Sequence, residues 1–139
     1  MTKMTVSGGC LCGAVRYEIA GDLVGFYHCH CSRCRKSSGT GHGTNLAVKA
    51  ASIRWLGGEA RLGYYKVPEA ERYARQFCTV CGSPVPRLDA SLGLVIIPAG
   101  SLDGEIDVTP QARIFWDSRA PWSCAGDGLP VFAEYPPRR

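Results

Sequence analysis

The chain has 139 residues, 45% hydrophobic and 20% charged, an ordinary globular balance that suits one compact domain over 1–139. No apolar run is long enough to cross a bilayer, and no apolar stretch follows Lys3, so neither a membrane span nor a signal peptide is expected. The formal charge of +4 is spread thinly, with its densest basic clusters at Arg33, Arg35 and Lys36 and at Arg138-Arg139, so nucleic acid is not an expected partner.

Gly 17 and Pro 9 predict short strands and many turns. Ala14 to Ile19 alternates apolar and polar residues and predicts a strand. A turn at Gly21-Asp22 and a second strand over Leu23 to Cys29 follow. Ser32 to Ser38 is the one helical stretch, with Ser32 placed to cap it and Gly39 to stop it. Further strands are predicted over Leu46–Val48, Ser52–Leu56, Arg61–Val67 and Tyr73–Cys78, and over Arg113–Trp116 near the end. Leu92 to Ile97 is the most apolar stretch and predicts a buried central strand. The segment 117–132 is turn-rich yet carries Trp122, Leu129 and Phe132, and is expected to dock over the core as a tail. The class is mainly β with a few short helical turns.

Seven of the eight cysteines fall into three tight groups: Cys10 and Cys12; Cys29, Cys31 and Cys34; Cys78 and Cys81. Cysteines this close rarely bridge one another. At about 6% of the chain they are also sparser than in a secreted disulfide scaffold. Metal-bound thiolates in a reducing, cytoplasmic setting are the expected state. Seven thiolates on two zinc ions would also lower the formal charge from +4 to about +1.

The spacings say how ligands converge. Residues i and i+2 of an extended chain share a face, so Cys10 and Cys12 point one way, and Gly13 permits a tight turn behind them. Cys78-x-x-Cys81 with Gly82 is a knuckle that sets two thiolates on one ion. Four cysteines close a tetrahedral site, which is structural; three leave a position open for chemistry. In the third group Cys29 and Cys31 share a strand face, and Cys31 and Cys34 share one side of a helical turn. His30 points the other way and reads as a hydrogen-bonded histidine, with His28 on its side. His42 reads first as an exposed loop histidine and second as one that its Gly-rich loop brings to the open site; Cys124 reads first as a lone free or buried thiol and second as the missing fourth ligand. Spacing alone does not pair the groups, because Cys10 and Cys12 can also share an ion with the three-cysteine group.

Gly9-Cys-Leu-Cys-Gly-Ala-Val-Arg-Tyr17, His28-Cys-His-Cys-Ser-Arg-Cys-Arg-Lys36 and Phe77-Cys-Thr-Val-Cys-Gly82 together resemble the glutathione-dependent formaldehyde-activating enzyme family, which includes the centromere protein V type. The resemblance continues through Ala99–Leu102, Ser118–Trp122 and Asp127–Pro130, and so covers nearly the whole chain in order. Arg113 departs from it, standing where many relatives carry His. The resemblance implies a β-tent of stacked antiparallel sheets stapled by zinc. It implies that Cys10, Cys12, Cys78 and Cys81 bind a structural zinc, and that Cys29, Cys31 and Cys34 hold a second, catalytic and more labile one. A thiolate-rich zinc suits a thiol as fourth ligand and would hold it as a nucleophile. The expected activity is that of a carbon–sulfur lyase or synthase joining glutathione, or a similar thiol, to formaldehyde. Arg33, Arg35 and Lys36 flank the open group and are expected to meet the carboxylates of glutathione. The rivals are a zinc scaffold without catalysis and a glutathione carrier.

Overall fold

A computed structural model describes residues 2–124 and 128–138. Among the described residues ten strands run in chain order: β1 (Thr2–Gly9), β2 (Arg16–Cys29), β3 (Gly43–Lys49), β4 (Arg54–Gly57), β5 (Leu62–Lys66), β6 (Ala74–Cys78), β7 (Pro84–Val85), β8 (Arg87–Asp89), β9 (Leu94–Pro98) and β10 (Ala112–Ile114). One α-helix, α1 (Ser32–Ser38), separates β2 from β3, and three single 3₁₀ turns complete the regular structure. The chain is therefore mainly β, with short, largely antiparallel sheets and few helical turns.

The larger sheet has seven strands, ordered β1-β2-β3-β9-β8, with β4 and β10 also paired to β2. β2 organises it. One edge of β2 takes β1 along Arg16 to Leu23 and then β10, in parallel, along Tyr27 to Cys29. The opposite edge takes β4 along Arg16 to Glu18 and then β3 from Asp22 to Cys29. The smaller sheet is β5-β6-β7.

The turn expected at Gly21-Asp22 does not form: both residues lie inside β2 and pair with β1. Gly21 serves close approach instead, since a Cβ there would overlap the Lys49 carbonyl oxygen of β3. The irregularity falls two residues later, where the β2–β3 register shifts between Leu23 and Gly25, as in a bulge that bends a long strand.

Period-two alternation fills the main core. Tyr17 and Ile19 of β2, Leu46 and Val48 of β3, and Val95 and Ile97 of β9 pack with Val6 and Phe26 in one buried cluster. Each fully buried Leu, Ile or Val contributes on the order of 1.5–3 kcal/mol. β9 is an internal strand as expected, though only Val95 and Ile97 are fully buried and Ile96 is half-buried. Tyr17 buries its ring completely and bonds the Ser101 hydroxyl at 2.5 Å. Burial pushes its phenol up to about 12. A second, smaller cluster joins Val15, Cys78 and Val85, with Cys10, Cys81 and Leu62 at its margin. Cys10 from the N-terminal region and Cys78 and Cys81 from the middle of the chain thus meet at one small core.

The tail differs from expectation. Trp122, Leu129 and Phe132 are exposed, whereas Ala120 and Ser123 are buried. The segment is held by its small residues, and Trp122 and Ser123 pack close to Gly41. Asp127, named in the family pattern, and Arg139 lie outside the described residues.

Candidate metal centre

The ligating atoms of Cys10, Cys12, Cys78 and Cys81 gather in one group, and those of Cys29, Cys31 and Cys34 in another, each within 4.8 Å of one another. The fold thus brings Cys10 and Cys12 to Cys78 and Cys81, and not to the three-cysteine group. Cys10 Sγ lies 3.6 Å from Cys12 Sγ, and Cys12 Sγ lies 3.9 Å from Cys78 Sγ. A tetrahedral ion with zinc–sulfur bonds of ~2.3 Å sets sulfurs about 3.8 Å apart, so the donor set fits zinc.

Both halves of this four-cysteine group turn on a left-handed glycine. Gly13 has φ 81° and donates to Cys10 O; Gly82 has φ 76° and donates to Cys78 O at 2.7 Å. Such conformations are cheap only without a Cβ. The turns aim backbone N–H groups at sulfur: Val15 N–H donates to Cys10 Sγ at 3.2 Å, and Val80 N–H to Cys78 Sγ at 3.3 Å. Donors of this kind favour thiolate over thiol. Against the cost of burial, the Val15 N–H and the neighbouring thiols draw Cys10 below its ordinary value. The Ser83 hydroxyl and backbone pull Cys81 down to about 5.

The three-cysteine group sits where β2 ends and α1 begins. Cys29 closes β2, and Cys31 caps the helix; its Sγ accepts the Cys34 N–H at 3.3 Å. The cap is therefore the thiol of Cys31 and not Ser32, because the residue just before the first helical turn is the one that can reach the orphan N–H groups. Gly39 ends the helix in the left-handed conformation, as expected, with φ 72°. Gly43 lets β3 approach, since a Cβ there would press on the Cys34 side chain. The Cys34 N–H also opposes the desolvation of Cys31 and lowers its thiol, whereas burial raises Cys29 and, much more, Cys34. The Tyr73 hydroxyl lies 3.5 Å from Cys34 Sγ and 2.7 Å from the Ser37 hydroxyl.

Three histidines lie beside this group. The ring of His42 is 4.2 Å from His28 and 5.0 Å from His30. His42 is half-buried, not the exposed loop residue expected. The Thr44 hydroxyl meets His28 Nδ1 at 2.8 Å and His42 Nδ1 at 2.9 Å, and its single proton can serve only one of the two rings. His30 is fully buried and accepts from Arg113 Nη1 at 3.3 Å, the hydrogen-bonded role expected of it. Burial comes first in holding all three imidazoles below their ordinary 6.5, followed by the charge of His42 and then Arg113 at His28 and His30, and by Arg113 at His42. Cys124 lies outside both metal groups, with a left-handed φ of 60° and its sulfur 3.6 Å from Ser123 Oγ.

A family model described as "Glutathione-dependent formaldehyde-activating enzyme" matches residues 5–118. The chain belongs to this family. A Halomonas elongata protein provisionally named a glutathione-dependent formaldehyde-activating enzyme is 27% identical over 125 residues, which span 86% of this chain and 80% of that one. A crystal structure of a Rhodobacter sphaeroides protein has the same fold at a TM-score of 0.59 and 22% identity, covering 77% of this chain and 98% of that one.

A cavity of about 770 Å³ opens between the two cysteine groups, with Cys10 and Cys34 both in its wall. His42 lines it, as do Tyr73, Arg75 and Arg87, three residues that the sequence did not single out for the site. Arg33 and Lys36 are exposed on α1 and Arg35 is half-buried, and the cavity wall includes none of the three. No described helix is long and apolar enough to cross a membrane.

Proposed function

We propose that this chain is a zinc-dependent carbon–sulfur lyase or synthase, joining a thiol such as glutathione to formaldehyde and releasing the S-hydroxymethyl adduct. The reading rests above all on one observation: in a member of this family, Cys34 of a three-cysteine group faces a cavity of substrate size. The four-cysteine group would hold a structural zinc and Cys29, Cys31 and Cys34 a second one with a position to spare. Bound there, the metal would keep the incoming thiol deprotonated and nucleophilic.

The balance of the reaction is simple. The thiol sulfur forms a bond to the formaldehyde carbon, the carbonyl π bond opens onto oxygen, and the thiol proton ends on that oxygen. The chain's own part is to bind and orient the thiol beside the aldehyde, a gain in proximity. Tyr73, donating to Cys34, steadies the sulfur and shares its charge. His42, neutral at pH 7 and in the cavity wall, is placed to take the thiol proton and return it to the new hydroxyl. Arg33, Arg35 and Lys36 add positive potential beside the open group. The setting that keeps seven thiols reduced is the cytoplasm.

The test is exchange of formaldehyde and glutathione with their adduct, followed by NMR on protein loaded with two zinc ions. The reading expects acceleration over the uncatalysed rate. It also expects Cys31→Ser to fold and lose that acceleration. A fully loaded wild-type protein that leaves the rate unchanged sinks the enzyme and favours a carrier or scaffold.

A further inference from the structure

We infer that Arg75 and Arg87, with Asp103, form a charge-matched subsite for a thiol carrying two carboxylates and one ammonium; this rests on the proposed reading and names its specificity residues. Arg75 comes from β6 of the smaller sheet and Arg87 from β8 of the larger, and both line the cavity that Cys34 faces. Both are half-buried. Among the described residues neither has an ion pair or a side-chain hydrogen bond; the two ion pairs present are Arg54–Glu18 and Arg72–Glu71. Asp89 feels the charge of Arg87, but its carboxylate is taken by Ser91, 2.6 Å from the hydroxyl.

Partly desolvated guanidinium groups without a counter-ion are poised for an anion, and their fork of donors suits carboxylate. Among the described residues, Asp103 is the one acidic residue in the cavity wall. Two fixed positive charges and one negative are the mirror of glutathione's two carboxylates and one ammonium. Asp103 follows the turn Ala99–Ser101, is held by its N–H bonding Ser7 O at 2.9 Å, and is itself exposed. It would meet the ammonium at the rim, where the interaction is weaker.

The experiment compares glutathione with its diethyl ester and with 2-mercaptoethanol on zinc-loaded protein, reading binding by calorimetry and adduct exchange by NMR. For the wild type, esterification should weaken binding about tenfold or more. Arg75→Gln and Arg87→Gln should each weaken glutathione binding about tenfold while 2-mercaptoethanol turns over at the wild-type rate. Far-UV dichroism and zinc content show that the variants fold, and the ester comparison needs no variant. Equal affinity for glutathione and its ester overturns the subsite, as does an equal effect of the arginine variants on both thiols. Discrimination without turnover upholds the subsite and overturns the enzymatic reading. Loss confined to Arg33→Ala and Arg35→Ala moves the carboxylate site to α1 and overturns this one. Absence of any glutathione binding overturns both.

Discussion

Cys78→Ser and Cys31→Ser should differ sharply, because the two metal groups close loops of different length. Cys12 and Cys78 touch across 66 residues. A cross-link closing a loop of that size restrains the unfolded chain by about 4 kcal/mol on the chain-entropy model. Cys31 and Cys34 are three residues apart, and the whole group spans Cys29 to Cys34, for which the same model gives about 2 kcal/mol. Cys78 is also fully buried in the smaller core, where a serine hydroxyl would lose its hydration. Against a total stability on the order of 5–15 kcal/mol, Cys78→Ser should unfold the protein or lower its urea midpoint steeply. Cys31→Ser should leave a cooperative transition with a modest shift. The assay is urea unfolding with zinc per chain measured alongside. Equal stability losses in the two variants, or a Cys78→Ser protein as stable as wild type, would refute the assignment of the four-cysteine group as the structural staple.

Tyr73→Phe removes the donor to Cys34 Sγ and the partner of Ser37; the fold should persist while chelator competition shows about tenfold weaker zinc at the second group. Gly8→Ala places a Cβ into the Ser101 carbonyl and the Tyr17 hydroxyl, with backbone on one side; a loss of about 1–3 kcal/mol is expected in thermal melts. For His42 the folded state holds the imidazole below 6.5, so the unfolded chain binds more protons. Its contribution is present above about pH 6.5 and is lost as pH falls from 6.5 through the lowered folded value. Wild type should therefore lose its advantage over His42→Gln between pH 7.5 and 5.5, and a constant difference in midpoints over that range would contradict the shift.

Cysteine spacing made the ligand groups legible, because neighbouring cysteines in each group are only two or three positions apart. Gly13 and Gly82 are equally local, and both take the left-handed turns that their places behind cysteines suggested. Which pairs share an ion was not legible from spacing, since Cys10 and Cys78 meet only through tertiary packing. The larger strands of alternating residues were readable. β1 was not, with only Met4 and Val6 as apolar markers before two glycines, and β7 and β8 are two and three residues long beside Pro84 and Pro86. Gly21 misled because a glycine that admits a neighbouring backbone looks, in sequence, like one that makes a turn. Arg75 and Arg87 carry no motif at all. They converge because β6 and β8 lie in different sheets that face one cavity, a relation that no local pattern encodes. Arg33, Arg35 and Lys36 drew attention by adjacency to the cysteines; Arg33 and Lys36 are exposed and Arg35 is half-buried, and that wall includes none of the three.

The central claim is an open three-thiolate zinc that takes a substrate thiol. X-ray absorption on the two-zinc protein, before and after glutathione, tests it most directly. One closed site and one open site average about 3.5 sulfurs per zinc, and a thiol filling the open position raises the average to about 4. That rise, abolished in Cys31→Ser, is the predicted result. An average that starts at four, or that glutathione leaves unchanged in a fully loaded protein, would contradict the account.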